Sequence, residues 1–265
     1  MMNCEEKIMA KLRFLGTCSG TEPFDKMHHV SFLIEEKGKT YWFDAGENCS
    51  RLAFLQGVDM LSVSSIFISH PHVDHIGGLL GLILLIRQQI WRKSGNPVDG
   101  KVRLFVPTDE LWESMRRLIE LTDENLFSVM DVEVKTIKDG FVFDNGDIRV
   151  TALHNEHMGV PEDGMWRSYS FAVEVEGRKI VYSGDFAHLS ELDALTDSGC
   201  DMLICESGHH KVAEILEYAE RKGIERLRFN HHGREIINDR AAAEDLIKNY
   251  SRHAIIVYDG MTEEI

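Results

Sequence analysis

His70-Pro71-His72-Val73-Asp74-His75 gathers three imidazoles and one carboxylate into six residues, framed by Ser69 on one side and Gly77-Gly78 on the other. Neutral imidazole nitrogen and carboxylate oxygen are good ligands for zinc, and a donor set without thiolates suits an open hydrolytic site better than a closed structural one. In extended chain His70 and His72 point the same way, and a turn after them swings Asp74 and His75 toward a neighbouring position. One loop can therefore serve two adjacent ions. A solvated polar loop would account for a single histidine, but not for this spacing. The expected cofactor is a pair of divalent metal ions, Zn²⁺ in the first instance, with Mn²⁺ or Fe²⁺ as alternatives.

The elements that must hold such a loop can be read from patterning. Strands are expected over residues 11–15, 30–34 and 40–44, the last two joined by a Lys37-Gly38-Lys39 turn, and over 66–69 just before the histidine cluster. The Leu/Ile-rich run after Gly78 is too long for a strand and reads as a helix buried on most sides. A strand over 102–106 and a helix over 108–121 follow. A second strand meander is expected over 132–136, 140–143, 148–153, 169–175 and 179–182, punctuated by Asp139-Gly140, Asn145-Gly146 and Glu176-Gly177. The tail alternates strand 202–205, helix 212–222, strand 227–229, helix 240–249 and strand 255–258. Two similar halves, each a mostly antiparallel sheet with helices on one side, stack as a four-layer αββα sandwich of class α/β, residues 1–265 forming a single domain.

Composition narrows the function classes. Hydrophobic residues at 43% and charged residues at 28% describe an ordinary globular chain. With 29 Lys+Arg against 44 Asp+Glu the net charge is −15, which disfavours broad nucleic-acid binding. The five cysteines, Cys4, Cys18, Cys49, Cys200 and Cys205, are odd in number, scattered and without a CxxC pair, so a reducing cytoplasm is expected. Glu5, Glu6 and Lys7 stand where a secretory segment would be apolar. The apolar stretch 76–86 stops at Arg87, short of the ~20 residues a bilayer span needs, so no membrane role is expected.

The cluster His70-x-His72-x-Asp74-His75 resembles the HxHxDH signature of the metallo-β-lactamase superfamily. The resemblance extends over nearly the whole chain through Leu15-Gly16-Thr17-Cys18-Ser19-Gly20, Phe43-Asp44-Ala45-Gly46, Tyr182-Ser183-Gly184-Asp185 and a late histidine, in the family's order. The first two motifs look most like the ribonuclease Z branch, although Cys18 departs from its usual Gly-Thr-Gly-Ser-Gly. This resemblance implies that His70, His72 and a third histidine hold one ion, that Asp74, His75 and the late histidine hold the other, and that Asp185 bridges them. His154 and His157 compete for the third place, with His157 preferred. His231 and His232 compete for the late one: alternation puts them on opposite faces of the strand, so only one reaches the metals, and the resemblance, which places the ligand first after the strand, favours His231. Asp44 is expected behind the ligands, orienting their imidazoles.

The bridging aspartate is usually missing from relatives that hydrolyse β-lactams, so antibiotic hydrolysis is not expected. Two divalent ions, Asp74, Asp185 and a hydroxide leave the centre net positive, attractive to a small anionic substrate. The expected reaction is phosphodiester hydrolysis of ribonuclease Z-like type, with a hydroxide between the ions in line with the phosphate. In the stretch Glu206 to His210, His209 is nominated as proton donor to the leaving oxygen, with His210 as its rival. A lactone or thioester hydrolase is the alternative within the same chemistry, and a binding protein with a silent site the alternative outside it. Homodimerisation follows from the resemblance by analogy.

Overall fold

The computed structural model of the protein describes residues 9–123, 125–250 and 252–265. Cys4, Glu5, Glu6 and Lys7 lie outside the described residues. The first sheet is built from β1 (Lys11–Gly16), β2 (Ser31–Glu36), β3 (Lys39–Phe43), β4 (Val63–Phe67), β5 (Val102–Val106) and β6 (Val132–Thr136). The second holds β7 (Gly140–Asp144), β8 (Ile148–His154), β9 (Tyr169–Val175), β10 (Arg178–Tyr182), β11 (Met202–Ser207), β12 (Arg226–His232) and β13 (His253–Ile256). A last strand, β14 (Thr262–Glu264), crosses back to the first sheet and pairs with β1.

Both sheets are mixed, which corrects the expectation of mostly antiparallel ones. β1, β2 and β3 pair antiparallel, while β3 through β6 run parallel. The second sheet repeats the scheme, antiparallel from β7 to β10 and parallel from β10 to β13. The cause lies in the connections: tight turns can only reverse a strand, whereas the helical crossovers bring the chain back in the same direction.

Three apolar layers result. Between the sheets lie Leu12, Phe14, Phe32, Phe43, Phe67, Val150, Phe171 and Ile204, drawn from both halves. Outside the first sheet, helices Cys49–Leu55, Leu79–Lys93 and Asp109–Thr122 bury Ala53, Leu82, Ile86 and Ile119. Outside the second, Val212–Lys222, Arg234–Asn238 and Arg240–Ile247 bury Ile215, Tyr218, Ile236 and Ala243. The αββα sandwich is thereby complete. Helices Cys49–Leu55 and Arg234–Asn238 and strand β14 were not anticipated.

The helix after Gly78 buries one face, through Leu79, Leu82, Ile83, Ile86 and Ile90, while Trp91 is 75% exposed, so it is not buried on most sides. Counted from Val73 to Lys93, the helical stretch has 21 residues and a mean hydropathy of 1.2, enough by length and composition for a membrane span, yet half of that window is buried in the sandwich.

Phe32, Phe43, Phe67 and Phe105, on neighbouring strands β2 to β5, stack with centroids 5.0, 5.0 and 4.7 Å apart, the natural repeat of adjacent strands. This ladder floors the sandwich where Asp44 leaves β3 and Ser69-His70 leave β4.

Candidate metal centre

The loops at this edge converge. After β4 the chain remains extended through His70 and His72, then enters a single helical turn, Val73–Ile76, closed by the Gly77 N–H on the Val73 carbonyl at 2.6 Å. That turn carries Asp74 toward His231 and lays the His75 ring against that of His70, with centroids 3.9 Å apart.

One group of donors forms around His72 Nδ1, which lies 3.0 Å from His70 Nε2 and 3.2 Å from His157 Nε2. A second forms around Asp74 Oδ2, 3.1 Å from His231 Nε2 and 3.6 Å from His75 Nε2. Asp185 stands between them. Its Oδ1 is 3.4 Å from His75 Nε2, and its Oδ2 lies 3.3 Å from His231 Nε2, 3.7 Å from His157 Nε2 and 3.8 Å from His70 Nε2.

Each rival histidine is engaged elsewhere. His154 Nδ1 meets Asp139 Oδ2 at 2.6 Å and its ring stacks on Trp166 at 3.8 Å. His232 Nε2 donates to the Val257 carbonyl at 2.9 Å, and burial drives its imidazole down to about 4. His210 donates to the Phe186 carbonyl at 3.1 Å and stacks on that ring. His231 reaches the centre through a β-bulge: Asn230 pairs with Glu206 but His232 with Ser207, so His231 is the extra residue, with a left-handed φ of 48°. Gly208 lets it in, because a Cβ there would stand 2.7 Å from His231 Nδ1.

Behind the ligands, Asp44 is fully buried and accepts four hydrogen bonds, from Ser69 N (2.7 Å), Ser69 Oγ (2.7 Å), His75 Nδ1 (2.8 Å) and Tyr182 OH (2.6 Å). Asp44 and Ser69 belong to the first half, Tyr182 to the second. Glu206, also fully buried, accepts from Gly208 N (2.7 Å), His209 N (2.9 Å) and His209 Nδ1 (3.1 Å). Sequence reasoning gave no role to Ser69 or Tyr182, and for Glu206, which lies inside β11 and not after it, the signal available was its place three residues before His209.

The donor set fits divalent cations. His75 Nε2 and Asp185 Oδ1 are buried without a hydrogen-bond partner, an arrangement costly for polar atoms unless something positive lies between them. Burial, reinforced by the neighbouring imidazoles, pushes His70 well below its usual range, so it is neutral and its lone pair is free. Burial opposes charge on His75 too, but Asp185 and Asp44 outweigh it and lift that imidazole to about 9. His231 is raised in the same way by Asp185, Asp74 and Glu206 against burial. The carboxylates thus create a demand for positive charge, met by protons on these imidazoles here, that divalent cations would meet with the imidazoles neutral.

Known proteins share this architecture. The ribonuclease Z of Archaeoglobus fulgidus is 23% identical over 314 aligned residues, covering 97% of this chain and 98% of its own. Human tRNase Z, short form (ELAC1), superposes with a TM-score of 0.70 at 21% identity, covering 96% of this chain and 99% of the human one. The metallo-β-lactamase fold protein YhfI of Bacillus subtilis superposes with a TM-score of 0.72 at 15% identity, over 97% of this chain and all of its own. Fold and site together define a metal-dependent hydrolase of the metallo-β-lactamase superfamily, in its ribonuclease Z-like branch. Within that class, residues 10–221 match the family model described as Anti-Pycsar protein Apyc1, and the chain belongs to this family.

Proposed function

We propose that this chain is a phosphodiesterase that uses two divalent cations to cleave small anionic phosphodiesters. The observation that carries the reading is Asp185, one carboxylate within 3.3–3.8 Å of four imidazole nitrogens belonging to two separate donor groups. His70, His72 and His157 would hold one ion, Asp74, His75 and His231 the other, with Asp185 shared. Two such ions, Zn²⁺ before Mn²⁺ or Fe²⁺, would bind phosphate oxygens, neutralise developing charge and lower the pKa of an attacking water toward ~7. Ribonuclease Z relatives support the phosphodiester as substrate class.

The protein's own groups do the rest. Asp44 fixes the tautomer of His75 by accepting at Nδ1, leaving Nε2 as the donor to metal. His209 is the proton donor for the leaving oxygen. Its Nδ1 is taken by Glu206, which also raises its affinity for a proton, so Nε2 is the nitrogen left to hand one over. No side-chain nucleophile is required.

Residues 1–265 are read as a single domain, supported by a core between the sheets that draws on both halves. Four cysteines, Cys18, Cys49, Cys200 and Cys205, are free thiols, as a reducing cytoplasm would leave them. The homodimer implied by the ribonuclease Z resemblance is tested by light scattering in solution. The decisive experiment is metal analysis of freshly purified protein together with a panel of phosphodiester, phosphomonoester, lactone, thioester and β-lactam substrates. Two ions per chain and fastest turnover of phosphodiesters are expected. Brisk lactone or thioester hydrolysis with no phosphodiester turnover would move the reading to an acyl hydrolase.

A further inference from the structure

Glu191 lies in the short 3₁₀ turn Leu189–Leu192, where part of its carboxylate has a local task. Oε2 accepts the backbone N–H groups of Ala187 and His188, each at 2.9 Å, donors that the start of a helical turn leaves without partners. Oε1 does something that local capping does not need. It accepts the N–H of Glu156 at 2.8 Å, across 35 residues of sequence, in the loop between β8 and β9.

Glu156 immediately precedes His157, and Ala187 follows Asp185 by two positions. One carboxylate therefore fastens the backbone of the loop carrying His157 to the backbone of the loop carrying Asp185, whose side chains face each other at 3.7 Å. Further along the first loop, Gly159 donates to Glu156, Gly164 to Pro161 and Met165 to Asp163, bonds that stay within the loop. A charge-assisted bond to a carboxylate is about twice as strong as a neutral one, which makes the Glu191 link a firm tether for His157.

We infer that Glu191 is a positioning residue of the metal centre: it sets the spacing between His157 and Asp185. Its loss weakens the ion held by His70, His72 and His157 more than the ion held by Asp74, His75 and His231. This rests on the two-ion reading given above.

The test titrates metal-free protein with Co²⁺ as probe, following d–d absorption, for the parent chain and for Glu191→Gln, Glu191→Ala and Glu214→Ala. Glutamine keeps the size but offers a single oxygen, which can serve Glu156 or the turn and not both. Glu214 is the control, because it caps Lys211 N at 3.3 Å before helix Val212–Lys222 and touches neither ligand loop. In both Glu191 variants one of two Co²⁺ constants is expected to weaken by about 10- to 100-fold with an altered spectrum, the other staying within about twofold. Glu214→Ala is expected to leave both unchanged. The inference is overturned if the Glu191 variants bind both ions like the parent, or if both constants fall together in step with the urea midpoint of the metal-free protein. A parent chain that binds fewer than two Co²⁺ would instead bring down the two-ion reading, and this inference with it.

Discussion

Asp44, Asp74, Asp185 and Glu206 surround the imidazoles of His75 and His231, and each of these carboxylates has a different task set by its partners. Asp44 points only at donors, so Asp44→Asn puts an amide N–H₂ against Tyr182 OH, Ser69 Oγ or His75 Nδ1. We expect metal affinity to fall about 10- to 100-fold in that variant, read by competition with a chelator, and an unchanged affinity would remove Asp44 from the centre's design. On the proposed reading, Glu206 acts through His209, whose Nδ1 it meets at 3.1 Å. A proton donor works only while charged, so turnover should fall as pH rises through the His209 pKa, which the Glu206 carboxylate holds above its usual value. Glu206→Gln should therefore move the alkaline limb of kcat to lower pH. His209→Ala should cost about 10²- to 10⁴-fold on an alkyl phosphodiester but much less on a nitrophenyl one, whose leaving group needs no proton. Equal losses on both substrates would assign His209 another role. The buried thiols stand outside this chemistry: Cys49 is pushed up to about 12 and Cys205 also well upward by burial, so alkylating reagents should leave metal content and activity intact.

Among the elements, β12 and β14 are joined by an ion pair that closes the edge of the sandwich remote from β6 and β7. Arg228 on β12 is fully buried, and its Nε and Nη2 lie 2.7 Å from the two carboxylate oxygens of Glu263 on β14. Removing one partner strands a buried charge, so Glu263→Gln should lower the unfolding free energy by about 3–5 kcal/mol in urea titration, while metal stoichiometry persists. Burial raises the Glu263 carboxyl, but Arg228 and Arg226 outweigh it and hold the group below its ordinary 4.5. Its stabilisation is thus present above pH 4.5 and lost as pH falls through the lower folded value, a dependence that Glu263→Gln should abolish. Such long-range partnerships mark the boundary of what the sequence discloses. The HxHxDH loop is legible because its four donors fall within six residues and its extended-then-turned geometry follows from local spacing. The parallel halves of the sheets could have been inferred from the alternating strands and helices of the tail. Tyr182 on Asp44 could not, since 138 residues separate them, nor could β14, whose three residues become a strand only because β1 offers an edge. His231 over His232 depends on a bulge against β11, a feature of pairing and not of pattern.

On the scale of the whole molecule, charge decides which phosphodiesters the centre can meet. The chain carries −15, and a modest basic group, Arg87, Arg92, Lys93, Lys101 and Arg103, is the local feature that could oppose it for a polyanion. Four of these five are already paired: Arg87 with Asp123 at 3.1 Å, Lys93 with Asp59 at 2.8 Å, Lys101 with Glu133 at 2.7 Å and Arg103 with Asp99 at 2.8 Å. The described residues between 87 and 131 build no separate arm either: their elements are the end of helix Leu79–Lys93, strand β5 and the helices Asp109–Thr122 and Leu126–Val129, packed on the first sheet. Binding a long nucleic acid gains its free energy largely by releasing counterions from phosphates, and a basic group whose cations are mostly paired releases few. A small phosphodiester would need no such surface, because on the proposed reading the positive charge it meets would be that of the bound ions. Human tRNase Z shares the fold at 21% identity, so fold alone does not choose between the two substrates. At physiological ionic strength the protein should therefore hydrolyse a small phosphodiester with a kcat/KM well above that for a precursor tRNA, and reducing the salt should narrow the gap by improving only the tRNA. Efficient, position-specific trimming of the precursor at physiological salt would refute the restriction to small substrates while leaving the metal centre's assignment in place.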